Sequence, residues 1–113
     1  SGVDINFIVR EDTTNMFVIG NLGDIQIYRT ITTAGTTGNR TIDKPSGTVN
    51  IAAGGTTVTV TNALVNTSSI VYCTLRTNDA TASILNVVPG AGSFVINIVA
   101  CAAEVSIGFL VTN

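Results

Sequence analysis

The chain has no histidine and no tryptophan, and only two cysteines, two prolines and two tyrosines among its 113 residues. Without histidine there is no imidazole base or imidazole metal ligand, and no Ser-His-Asp or Cys-His arrangement can be built. Cys73 and Cys101 stand alone, with no Cys-x-x-Cys spacing, so neither a disulfide framework nor a thiolate metal site is expected. They read as small core residues, with a mutual disulfide as the alternative. Charge is also scarce: 11% of residues are charged, against roughly a quarter in ordinary soluble domains. With a formal net charge of −2, the chain offers no basic footprint for nucleic acid or an anionic membrane surface. Every apolar stretch is broken by Thr, Asn, Ser or Gly before reaching the ~18 residues of a spanning helix, so no membrane insertion is expected. The first residues lack the pattern of a secretory signal, and Ser1-Gly2 is compatible with a cloning remnant.

What the sequence does contain is Thr, Asn, Ser and Gly, which suit strands and turns, and little of the Ala-Leu-Glu-Lys pattern that builds long helices. The length allows one domain with one core. Charge is unevenly placed within it. Residues 1–44 carry nine of the twelve Asp, Glu, Lys and Arg side chains, and from Pro45 onward only Arg76, Asp79 and Glu104 remain. Residues 1–44 therefore form a more charged β segment and connection, and residues 45–113 a neutral β module.

Alternation at period two marks the strands. Ile5, Phe7 and Val9 alternate with Asn6, Ile8 and Arg10; residues 11–15 read as a turn, residues 16–19 as a short strand and residues 24–31 as another, together a small meander. Residues 32–47 are too rich in Thr and Gly for a core element and are expected as an extended surface connection. Strands then follow at short intervals over residues 48–52, 57–61, 70–76, 84–88, 93–98 and 105–112. Phe94, Ile96 and Ile98 share one face, as do Val105, Ile107, Phe109 and Val111. Residues 100–104 could form one helical turn, too short to hold alone. The expected fold is all-β, an antiparallel β-sandwich or jelly-roll-like domain.

Chemistry-bearing residues are sparse. Asp43 and Asp79 are the most turn-like carboxylates, Glu11-Asp12 reads as a solvated turn, and no acid pair suits acid-base work. The glycine-rich stretches at residues 52–55 and 89–92 lack the Lys-Ser/Thr of a phosphate loop, so they read as turns. Asn66-Thr67-Ser68 and Asn39-Arg40-Thr41 match glycosylation sequons but read as polar loops. No catalytic, cofactor-binding or metal-binding residue is expected. In residues 68–79, Val71, Cys73 and Leu75 face one way, while Ile70, Tyr72, Thr74 and Arg76 face the other. Arg76 and Asp79 read either as a surface turn contact or as a pair that fixes register at a subunit boundary.

The segments TTAGTTGNRTIDKPSGTVNIAAG (residues 32–54), VTNALVNTSSIV (60–71), RTNDAT (76–81), VVPGAGSF (87–94) and SIGFLVTN (106–113) resemble, in order and spacing, a β-rich module at the C-terminal ends of tail-fibre, tail-spike and related virion proteins of tailed bacteriophages. The resemblance implies a non-enzymatic homotrimer in the virion, made in the bacterial host cytoplasm, without a cofactor. Its partners would be copies of itself, other virion proteins and a host cell-surface glycan. The low charge agrees, because apolar strand faces left open by a monomer would be covered between copies. Ile70, Tyr72, Arg76, Asp79, Val95 and Leu110 are the candidate interface residues. Loops 62–68, 77–83 and 89–92 are the candidate receptor loops, with Asn66, Thr67, Asn78, Asp79 and Thr81 as contacts. The alternative is a purely structural trimerisation or capsid-decoration module that binds only other virion proteins.

Overall fold

The computed structural model describes residues 7–113; the expectations for Ser1, Gly2, Ile5 and Asn6 lie outside them. The described chain opens with a meander of β1 (Phe7–Glu11), β2 (Thr14–Ile19) and β3 (Ile25–Ile27), antiparallel and in that order. The first turn is tighter than expected, since Thr14 and Asn15 already belong to β2. Asp12 adopts φ 57°, a left-handed conformation that aspartate tolerates better than most residues. The strand expected over residues 24–31 is split. Tyr28 donates its N–H to the Met16 carbonyl at 3.0 Å, and beyond it β4 (Arg29–Thr30) joins a different sheet.

The remaining strands are β5 (Arg40–Thr41), β6 (Ser46–Ile51), β7 (Thr57–Thr61), β8 (Ile70–Leu75), β9 (Ile84–Gly90), β10 (Ser93–Ile98) and β11 (Val105–Thr112). They make two four-stranded sheets in the orders β4-β6-β11-β8 and β5-β7-β10-β9. The all-β reading holds, and no helix occurs among the described residues. The expectation of a purely antiparallel arrangement does not hold, because β4 runs parallel to β6 and β5 parallel to β7. Nor does β4 pair with the last strand, β11, as the nested pairing of a jelly roll would require. The arrangement is sandwich-like with mixed sheets.

Both sheets contribute to one core. Val49 and Ile51 of β6 and Val105, Ile107, Phe109 and Val111 of β11 face Val58 and Val60 of β7 and Phe94, Ile96 and Ile98 of β10. The rings of Phe94 and Phe109 meet edge to face across the layers, with centroids 5.0 Å apart. Burying each such side chain stabilises by about 1.5–3 kcal/mol, so these alternating faces dominate the fold. Val71, Cys73 and Leu75 of β8 pack against the cluster from the edge. Both cysteines are free thiols, so the disulfide alternative is not realised. Burial pushes the Cys73 thiol up to about 12, which suits an unreactive core residue.

The segment expected as an extended surface connection lies at the surface, with residues 33–39 exposed, and is also stitched to both sheets. Residues 31–39 run alongside β6 as a strap. The Thr32 N–H donates to Thr48 Oγ1 at 2.8 Å, and Thr32 Oγ1 donates to the Thr48 carbonyl at 2.5 Å. Asn50 Nδ2 donates to the carbonyls of Thr33 and Thr36 at 3.0 and 3.1 Å, and the Gly38 N–H donates to the Asn50 carbonyl at 2.9 Å. Beyond β5, Ile42 plugs into the core. Composition misleads here because these contacts are made by threonine and asparagine through hydrogen bonds, not by apolar side chains.

The meander is built differently. It shares no strand with either sandwich sheet, and Val18 is its one buried apolar residue among those described. Phe7, Ile8, Val9, Ile19 and Ile25 are exposed. Near its exit, Lys44 Nζ lies 4.4 Å from the centre of the Tyr28 ring and donates to the Arg29 carbonyl at 3.5 Å.

Candidate functional site

The outer face of the β4-β6-β11-β8 sheet collects most of the side chains of interest. Successive cross-strand rows read Ile70 with Thr112; Tyr72 with Leu110 and Ser46; Thr74 with Gly108 and Thr48; and then Ser106 with Asn50. Arg76 completes the last row, since its N–H donates to the Ser106 carbonyl at 2.8 Å. The face is therefore graded. It is apolar at the Ile70-Tyr72-Leu110 end and polar at the Arg76-Ser106-Asn50 end. Ile70 and Tyr72 are each 57% exposed on β8, which has an open edge.

The polar end is concave. Arg76 Nη1 donates to Ser106 Oγ at 3.0 Å, and the side chain lies flat across β11. Gly108 makes this possible: a Cβ there would come within 3.3 Å of Arg76 Cδ. On one side of Arg76 lies a hollow of about 330 Å³ lined by Arg29, Ile31, Ser46, Thr48 and Gly108 among others. On the other side, a hollow of about 400 Å³ is lined by Thr32, Ala34, Asn50, Thr77, Glu104 and Ser106. The first contains two cations and no acid. The second contains the single carboxylate, Glu104, whose oxygens accept the Gly35 N–H at 2.9 and 3.2 Å. Asn50 is 2% exposed, and its Oδ1 is buried without a hydrogen-bond partner. A buried acceptor left unpaired costs about 1–3 kcal/mol, so this atom marks a place where a donor is wanted.

The expected Arg76–Asp79 pair does not form. Asp79 Oδ1 accepts the Thr81 N–H at 2.8 Å and the Thr81 hydroxyl at 2.5 Å, and Oδ2 accepts the Ala103 N–H at 3.3 Å. Thr81 Oγ1 in turn accepts the Ala102 N–H at 2.9 Å. Asp79 and Thr81 thus staple residues 76–83 to residues 99–104. The hydrogen bond from the Thr81 hydroxyl, and then that from the Thr81 N–H, hold the Asp79 carboxyl below the usual aspartate range. A lowered folded-state value means that the ionised carboxylate contributes stability above the unfolded value, and that this contribution is lost as pH falls through the folded one. An NMR titration is expected to place the Asp79 midpoint below the ordinary aspartate value, with the amides of Thr81 and Ala103 shifting together at that acid midpoint. In Asp79→Asn this coupled shift is expected to vanish.

Two of the candidate receptor loops converge and the third does not join them. Residues 62–69 precede β8 and pack with the 89–92 turn, where the Gly92 N–H donates to the Val65 carbonyl at 2.9 Å. Asn113 closes the same end by hydrogen bonding with the Ser69 hydroxyl and donating to the Leu64 carbonyl. Residues 76–83 follow β8 and lie at its other end, a strand length away, or ~20 Å for six residues. Asn66 and Thr67 are thus separated from Asn78, Asp79 and Thr81, and Asn66 Oδ1 is occupied by the Ser68 N–H at 2.8 Å.

The candidate interface residues are also divided. Ile70, Tyr72, Arg76 and Leu110 share the graded face, whereas Val95 lies on the outer face of the other sheet, between Thr59 and Val88. Asp79 lies in its loop. Sequence reasoning missed Arg29, Thr32, Asn50 and Glu104. Asn50 carried a signal, as an asparagine between Val49 and Ile51 in a strand of high β-propensity. The described residues hold no group of three or more Cys, Asp or Glu able to hold a metal. No family model, curated protein or solved structure matches the chain.

Proposed function

We propose that the chain is a non-enzymatic virion module of a tailed bacteriophage, at the tip of a tail fibre or spike, that assembles as a homotrimer and recognises carbohydrate on the host surface. The phage assignment rests on the resemblance of residues 32–113. The assembly half rests on one observation: Ile70 and Tyr72 are exposed on β8, an open-edged strand, in a region almost without charge. An uncharged, apolar strand edge invites pairing with another chain, and closed symmetry satisfies every copy at once. The exposed apolar side chains of the meander add to the surface that copies would cover.

The structural alternative, trimerisation or capsid decoration without a receptor, gains from one finding. Of the three loops expected to meet a receptor, residues 62–68 and 89–92 share one end of the sandwich and residues 77–83 lie at the other, so the three do not form one tip surface. The reading then places recognition on the graded face. Tyr72→Glu tests the assembly half at a position where the fold does not depend on the side chain. Sedimentation velocity is expected to show the variant as a folded monomer. Wild-type sedimentation from this variant would remove β8 from the interface.

A further inference from the structure

We infer that the two hollows flanking Arg76 form one binding site for an acidic saccharide, with its carboxylate between Arg29 and Arg76 and its hydroxyls against Asn50, Thr77 and Glu104. This rests on the carbohydrate-recognition reading and gives it a site and a ligand class. Four observations converge. The hollow on the Arg29 side has two guanidinium groups and no carboxylate among its lining residues, although the chain as a whole is acidic. A guanidinium presents five N–H donors in a planar fork that matches a carboxylate. Arg76 is committed to Ser106 through Nη1 only, so most of its donors are free to take a ligand.

The second hollow sets the polarity of the ligand. Glu104 repels an anion there and accepts hydroxyl donors instead, which directs the charged end toward Arg29. Asn50 lines the same hollow. Its Nδ2 is held by the two strap carbonyls, and the planar amide therefore turns Oδ1 away from them. That atom is buried and unpartnered, so a hydroxyl donor that reached it would satisfy a buried acceptor. Hollows of about 330 and 400 Å³ also fall within the ~300–1,000 Å³ of small-ligand sites. The apolar row at Ile70 and Tyr72 lies at the other end of the face, so a neighbouring copy seated there leaves the groove at its margin.

The site is tested with the full chain by titration calorimetry against uronate- and sialate-bearing oligosaccharides, their carboxyl-reduced counterparts and inorganic phosphate. At least one acidic saccharide is expected to bind, and its carboxyl-reduced form to bind at least tenfold more weakly. Arg76→Gln and Arg29→Gln are each expected to weaken binding about tenfold or more, the scale of one hydrogen bond to a charged group. Arg10→Gln, on the meander, serves as the unaffected control, and thermal unfolding confirms that each variant is folded. Phosphate binding as tight as the saccharide would overturn the assignment in favour of a simple anion site. Saccharide binding lost in Asn66→Ala or Asn78→Ala but kept in Arg76→Gln would move recognition to the loops and leave carbohydrate recognition standing. If the assembled protein bound no saccharide, acidic or neutral, and no host cell, both the site and the recognition reading would fail.

Discussion

Phe94→Ala is expected to lower the unfolding free energy by about 3–5 kcal/mol, the usual cost of emptying a buried aromatic position. Phe94 is fully buried and meets Phe109 edge to face, a geometry worth about 0.5–1.5 kcal/mol beyond the area it buries. Small domains are stable by only about 5–15 kcal/mol, so this one change removes a large share of the total. The comparison that gives the result meaning is Phe17→Ala. Phe17 touches Phe7 in the meander, with centroids 6.4 Å apart, but is not buried in the core. It is expected to cost less than half as much in urea unfolding. Equal losses would mean that the meander and the sandwich share one core, against the burial pattern.

Asn50→Asp is expected to cost about 3 kcal/mol or more at neutral pH, although it changes almost no volume. The two N–H donors that hold the Thr33 and Thr36 carbonyls become an oxygen facing oxygens, in a position shielded from water. Burial and the facing carbonyls both favour the neutral acid, so the new carboxyl is expected to titrate well above the ordinary aspartate range. The penalty is then fully present above that raised folded-state value and shrinks as pH falls through it, because the protonated acid can donate to one carbonyl again. Thermal unfolding of wild type and variant should therefore converge on acidification, and limited trypsin digestion at neutral pH should cut at Arg40 in the variant first. A variant as stable as wild type at neutral pH would mean that Asn50 does not hold the strap.

These expectations separate what the sequence made legible from what it concealed. Residues 57–61, 93–98 and 105–111 alternate valine, isoleucine and phenylalanine with residues that are small or polar except at Val95 and Leu110, and one strand orientation buries the larger share of the apolar side chains. The inner faces of β7, β10 and β11 follow directly. Residues 32–47 concealed their role because threonine and glycine look alike whether they face water or hydrogen-bond a neighbouring strand; Thr32, 5% exposed, does the second. Arg76 and Asp79 are three positions apart, which invited a pair. Strand geometry sends the arginine across Gly108, while Thr81 satisfies the aspartate within its own loop. The division of the receptor loops was legible in principle, since loops that precede and follow one strand lie at its two ends. The groove was not, because its lining comes from β4, the strap, β6, residues 76–77 just after β8, Glu104 and β11.

Assembly is the premise that joins the low charge, the open apolar edge and the proposed role. Static light scattering of the unaltered chain at micromolar concentration tests it most directly. The expected result is a particle of three times the 11.6 kDa chain mass, unchanged on dilution through the low micromolar range. A stable particle of one chain mass at the same concentrations would contradict it.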